Sequence, residues 1–162
     1  MNRKIIGLSL ASLLSVSAFA GDYFGVSYRS VSVESGSTDI DLNAIEGKYG
    51  RMFTENVGLE SRFGLGIGDE DGISIDGSVS VFGVYRYKIN DMFTPYGLVG
   101  YSSTEFGFEG SSGSEGLNDF SYGFGLDIAI DKKSAVNVEF TELFDNSGAE
   151  GSSISAGWIY SF

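Results

Sequence analysis

The sequence predicts an all-β chain: eight antiparallel strands in an up-and-down transmembrane β-barrel. Three observations carry that prediction. In the last ten residues Ile154, Ala156, Trp158, Tyr160 and Phe162 share one face, and Ser153, Ser155, Gly157, Ile159 and Ser161 the other. That is the period of two of a strand. Large apolar groups on one face and small groups on the other fit a narrow barrel with lipid outside. Seven turn-rich breaks divide residues 21–162 into eight segments, and short breaks alternate with more Gly/Ser-rich or polar ones. Beyond residue 20 no run of 18 apolar residues occurs, so strands and not helices would do the crossing.

The elements follow in order. Residues 1–20 read as a secretory signal peptide: Arg3 and Lys4 open it, residues 5–19 are mostly apolar, and Ala18-Phe19-Ala20 is a small-x-small cleavage site. The mature chain is expected to start at Gly21. The first strand is predicted over 22–33 and the second over 40–53. In the second, Ile40, Leu42 and Ala44 share one face but Ile45, Gly47 and Tyr49 the other. That switch predicts a bulge, or a strand continuing beyond the membrane. The third, 56–67, follows the break at Thr54-Glu55-Asn56. The fourth, 73–89, follows a break at 68–72 and puts Phe82 and Val84 on the lumen side, which leaves its register open.

The fifth strand, 92–108, follows Asn90-Asp91, with Pro95 near its start, where a missing N–H is tolerated. The sixth, 116–130, follows a break at 109–115. It alternates Phe120, Tyr122, Phe124, Leu126 and Ile128 against Ser121, Gly123, Gly125 and Asp127. The seventh, 134–144, follows Asp131-Lys132-Lys133 and sets Val136, Val138 and Phe140 against Asn137, Glu139 and Thr141. A break at 145–151 leads to the eighth, 152–162. An even strand count puts both ends of the domain on one side, the periplasm.

A secreted sandwich or lipocalin-like barrel has the same period, with its large residues turned inward. Three features favour the membrane. Tyr49, Phe53, Tyr87, Phe93, Tyr160 and Phe162 lie near strand ends, as interfacial girdles do. The small face is rich in Gly and Ser, which suits a crowded interior. The chain ends on an aromatic strand.

Composition removes whole classes of function. The 162 residues leave room for one domain. Without Cys there is no disulfide, thiol nucleophile or thiolate metal site. Without His the commonest general base and transition-metal ligand are missing. A net charge of -12 and a pI near 4.2 argue against nucleic acid. Residues 21–162 hold all 22 acidic residues but eight of the ten basic ones, because Arg3 and Lys4 precede them. Their net charge is -14.

Arg29, Lys48, Arg62, Arg86, Glu46, Glu60, Asp127 and Glu139 lie within predicted strands. An Arg or Lys facing lipid at mid-depth costs about 2–4 kcal/mol, so these groups should face the lumen and pair there. The candidate network is Glu60, Arg62, Arg86, Asp127 and Glu139. An eight-stranded interior is just wide enough for side chains to fill, so a polar plug is the plain reading and a narrow gated pore the alternative. The Gly/Ser-rich breaks carry Glu34, Asp39, Asp69, Glu70, Asp71, Glu109, Glu115, Asp145 and Glu150, and no Lys or Arg. A solvated acidic rim explains them. Asp69, Glu70 and Asp71 offer three hard carboxylates suited to calcium, but without EF-hand spacing. No cofactor is expected.

With these residues in place, the chain resembles the small eight-stranded outer membrane β-barrels of Gram-negative bacteria. It is similar to the transmembrane domain of outer membrane protein A and to the family described as the outer membrane protein β-barrel domain. The resemblance covers residues 21–162. Ile154, Trp158, Tyr160 and Phe162 look like the strand-end signal read by the outer membrane assembly machinery. Val57-Gly58-Leu59-Glu60 and Phe124-Gly125-Leu126-Asp127 resemble the third and sixth strands, each with an inward acid. Asn137 departs from the pattern, standing where an inward arginine is expected. The peptidoglycan-binding domain that follows the barrel in outer membrane protein A has no counterpart in this sequence. Enzymatic small barrels, such as lipid A palmitoyltransferases and omptin proteases, rely on a histidine, so no enzyme is expected.

The resemblance implies an outer membrane protein with a structural or surface-interaction role. A narrow channel for ions or small solutes is the alternative, and an adhesin-type surface protein the third reading. Outer membrane lipids and, during biogenesis, the assembly machinery are the expected partners of a monomer.

Overall fold

The computed structural model describes residues 21–35, 38–67, 69–70, 73–108, 114–146 and 149–162; the side chains of 34–40, 68–76, 105–118 and 144–150 lie outside that description. Residues 1–20, read above as a signal peptide, also lie outside it. Eight long strands follow one another: β1 (Asp22–Ser35), β2 (Thr38–Met52), β3 (Val57–Gly66), β4 (Ile73–Arg86), β5 (Phe93–Phe108), β6 (Ser114–Ala129), β7 (Ser134–Asn146) and β8 (Ala149–Ser161). A two-residue strand, Asp69–Glu70, pairs with Ser74 and Ile73 at the tip of the β3–β4 hairpin.

Every strand pairs antiparallel with its neighbour in sequence. β1 also pairs with β8, from Tyr23↔Ser161 to Ser35↔Ala149, which closes the barrel. Closure removes the sheet edges that hydrocarbon could not satisfy.

The two ends differ. At the turn end, three short connections and both termini of the barrel meet. Each turn is tied by one polar side chain. Thr54 Oγ1 accepts from the amides of Asn56 (3.2 Å) and Val57 (2.9 Å). Asn90 Oδ1 accepts from Met92 (2.9 Å) and Phe93 (2.8 Å). Asp131 Oδ1 accepts from Lys133 (2.8 Å) and Ser134 (2.9 Å). Asx- and ST-turns of this kind satisfy amides that the ladder leaves unpaired. At the hairpin end, strands run closer to the tips than the breaks at 34–39 and 145–151 predict: Glu34 pairs with Asp39, and Asp145 with Glu150. Polar Gly/Ser-containing sequence there forms hairpin rather than loop.

The faces sort as a membrane barrel requires. Phe63, Leu65, Tyr101, Phe124 and Ile154 stand outward, each at least half exposed. Ser80, Ser102, Ser121, Ser153 and Ser155 are buried inside. A soluble barrel would reverse this arrangement, so the lipocalin-like alternative fails. β2 contains no bulge; its register with β1 is unbroken from Asp22↔Arg51 to Ser35↔Thr38. Leu42 and Ala44 point into the lumen and Ile45 and Tyr49 outward. The apparent switch of face arises because the lumen itself has an apolar layer, including Val31 and Leu143. Phe82 and Val84 likewise pack inside, with Tyr96 and Leu98. The bulges lie instead in β4, between Ile75 and Gly77, and in β7, between Glu142 and Phe144.

Candidate functional site

Inward positions recur every second residue, so each buried charge follows from its strand parity. Arg29, Glu46, Lys48, Glu60, Arg62, Asp127 and Glu139 are buried in the lumen, and Arg86 is nearly so, its side chain 11% exposed. These four cations and four carboxylates are neutral in sum. The five residues of the predicted network lie together, and the structure adds Arg29, Glu46 and Lys48 to them.

Arg62 is the hub. Its Nε donates to Glu60 Oε1 at 2.6 Å. Nη1 and Nη2 hold Glu139 bidentately at 2.5 and 2.8 Å. Nη1 also reaches Glu46 Oε1 at 3.4 Å, and Arg29 Nη1 donates to Glu46 Oε2 at 2.7 Å. Such a fork-on-carboxylate geometry suits arginine and not lysine. Lys48 Nζ donates to Asn137 Oδ1 at 3.0 Å and lies 3.8 Å from Glu139.

Arg86 closes the turn-end side. It pairs with Asp127, lies 3.6 Å from Glu60, and its guanidinium sits 4.6 Å from the ring centroids of both Tyr23 and Tyr96. Tyr23 OH donates to Glu60 Oε2 at 2.5 Å and Tyr96 OH to Glu139 Oε2 at 2.6 Å. Both rings use room left by glycine. Tyr23 pairs with Gly50 and Tyr96 with Gly125, and a Cβ on either glycine would fall 2.0 or 2.4 Å from a ring carbon. A cavity of about 880 Å³ opens at the turn end and reaches Arg86, Asp127 and Tyr23.

Sequence reasoning missed the two tyrosines and the part Asn137 plays. An inward Tyr cross-strand from an inward Gly is a readable signal, but only once the register is known. Asn137 stands where the resemblance expects a cation. It is buried, and its Nδ2 donates to Asp127 (3.0 Å) and Tyr96 OH (2.5 Å) while Oδ1 accepts from Lys48. The cation beside it is Lys48 of β2.

On the outside, Ile154, Trp158, Tyr160 and Phe162 line the outer face of the β8 end. Phe24 of β1 meets three of them, with centroids 5.8 Å from Trp158, 5.7 Å from Tyr160 and 6.2 Å from Phe162. Of the acidic rim, the side chains of Glu34, Asp39, Asp69, Glu70, Glu115, Asp145 and Glu150 lie outside the described residues, as do Asp71 and Glu109 altogether. Among the described residues no cluster of three potential ligands is arranged to hold a metal ion.

The remaining charges divide by end. The turn end holds Asp22, Glu55, Asp91 and Asp131 against Arg51, Lys88, Lys132 and Lys133, and so balances. Lumen and turn end are both neutral, whereas the hairpin end holds twelve acids and no Lys or Arg among the described residues.

The family model described as outer membrane protein beta-barrel domain matches residues 6–162. Among solved structures, Ail, the attachment invasion locus protein of Yersinia pestis, is 20% identical, with a TM-score of 0.66 over 89% of this chain and 100% of that one. Neisserial surface protein A is 10% identical, with a TM-score of 0.71 over 87% and 97%. The N-terminal β-barrel domain of Pseudomonas aeruginosa OprF is 16% identical, with a TM-score of 0.62 over 85% and 97%. At these identities the likeness is one of fold. No curated protein sequence matches the chain.

Proposed function

The chain belongs to the outer membrane protein β-barrel domain family, and from that premise we propose that it is a non-conducting, non-enzymatic surface protein of the outer membrane. Its turn end faces the periplasm and its hairpin end the exterior. The observation that carries the reading is the lumen. Four cations and four carboxylates interlock there, with Phe82, Val31 and Leu42 packed among the inward positions. A path for ions would have to break Arg62 from three carboxylates at once.

The absence of His and Cys supports a non-catalytic role. Residues 1–20 serve as the cleaved export signal. The aromatic end of β8 serves as the assembly signal, and outer membrane lipids are the resident partners of the monomer. The second reading, a narrow channel, draws on the cavity at the turn end, which leaves a shorter blocked path. The adhesin-type reading draws on the fold shared with Ail, whose name speaks of attachment and invasion.

Planar-bilayer recording separates plug from channel. The refolded barrel should stay near baseline; a steady open state of about nanosiemens order would overturn the plug and promote the channel. Fractionation of the mature protein away from the outer membrane would overturn the location.

A further inference from the structure

The turn end is neutral in sum but divided across the barrel. Two of its charge pairs are closed: Arg51 holds Asp22 at 2.9 Å, and Lys88 lies 2.8 Å from Asp91. The β2–β3 turn carries Glu55 and no cation, whereas the β6–β7 turn carries Asp131, Lys132 and Lys133. These two turns stand on opposite sides of the closed eight-strand ring. Asp131 Oδ1 is spent on the amides of Lys133 and Ser134. Among the described residues neither Lys132 nor Lys133 forms an ion pair with a carboxylate.

An aromatic ring places Lys133 instead. Its Nζ lies 5.7 Å from the ring centroid of Tyr160. That ring belongs to the outer wall, where it meets Trp158 at 5.9 Å and Phe24 at 5.7 Å. A lysine at the edge of a bilayer ordinarily carries its ammonium away from hydrocarbon. Here the ammonium stands at the depth of the aromatic girdle, which is headgroup level. The acceptors that reach this depth from outside the protein are lipid phosphates and ester carbonyls. A zwitterionic headgroup answers its phosphate with its own ammonium. An anionic one brings uncompensated charge, and a lysine meets a phosphate as a point charge. Exposed Lys132 adds a second cation in the same turn. Neither of the other turns matches this: Lys88 is already paired, and the β2–β3 turn has no cation.

We propose that the outer face beside the β6–β7 turn, with Lys132 and Lys133 set against Tyr160 and Trp158 of β8, binds the headgroup of an anionic phospholipid. This rests on the reading of the outer wall as lipid-facing. The chain's single Trp is Trp158, one ring away from Tyr160, so its fluorescence reports on this patch alone. The folded barrel is placed in phosphatidylcholine bilayers at low ionic strength. A small fraction of the lipid is replaced by phosphatidylglycerol with brominated acyl chains, or by equally brominated phosphatidylcholine, and quenching of Trp158 is compared. Phosphatidylglycerol should be enriched beside Trp158 by about fivefold or more. The K132Q/K133Q barrel, checked for folding by its gel shift, should bring the two lipids to within about twofold of each other. K88Q removes a paired lysine from another turn and should keep the preference. Equal quenching by both lipids in the wild type, a preference that survives K132Q/K133Q, or an equal loss in K88Q would each overturn the proposal. Absence of quenching by either lipid would overturn the lipid-facing wall itself, so the two failures are distinguishable.

Discussion

Arg62 shows why the position of a buried charge decides its worth. It contacts Glu46, Glu60 and Glu139, all buried, so its removal strands carboxylates where water does not reach. Arg62→Ala should cost about 3–5 kcal/mol in urea unfolding from micelles, the range for breaking a buried pair. Arg86→Ala should cost less, because Asp127 borders the open cavity and can be rehydrated. Equal losses would mean that the cavity does not relieve the orphaned acid. Gly50 makes the complementary point. A Cβ there would occupy the place of the Tyr23 ring, so the ring must move and release Glu60. Gly50→Ala should cost about 1–3 kcal/mol, the range for overpacking. In a Tyr23→Ala background the same change should cost far less, a coupling that a double-mutant cycle reads directly.

The turns show what an element boundary is made of. Thr54, Asn90 and Asp131 were legible as breaks because short polar side chains compete for backbone amides, and each does so in the fold. The hairpin tips were read less well: Gly and Ser disfavour strands only weakly when cross-strand pairing holds them. The amides of Lys133 and Ser134 hold the Asp131 carboxyl below its usual range. A depressed folded-state pKa gives stability that is present above the ordinary carboxylate pKa and lost as pH falls through the lowered one. Asp131→Asn keeps the accepting oxygen but does not titrate. The wild type should therefore lose more stability than Asp131→Asn between about pH 5 and about pH 2. Every other ionisable group is common to both proteins and cancels in the comparison; parallel pH curves would show that the carboxylate charge adds nothing to the turn.

At the scale of the molecule, what was legible was whatever strand parity alone determines. Lumen charges such as Glu60 and Asp127 were placed by the cost of facing lipid. Tyr23, Tyr96 and the bonds of Asn137 escaped because their partners come from strand pairs whose register no single segment encodes. The charge distribution follows from topology in the same way, and it bears on insertion. Twelve acidic residues among the described ones lie at the hairpin end, the end that crosses the bilayer when a barrel inserts from the turn-end side. An anionic surface repels that end before any strand enters, and salt screens the repulsion over a Debye length of about 10 Å at 0.1 M and about 3 Å at 1 M. Unassisted folding into vesicles with one part in about five of phosphatidylglycerol should then be slower than into pure phosphatidylcholine at low ionic strength. The difference should close as NaCl approaches about 1 M. Gel-shift time courses of the folded band follow both. Equal rates at low salt would mean that the hairpin acids enter the bilayer only after the rate-limiting step, whatever their number.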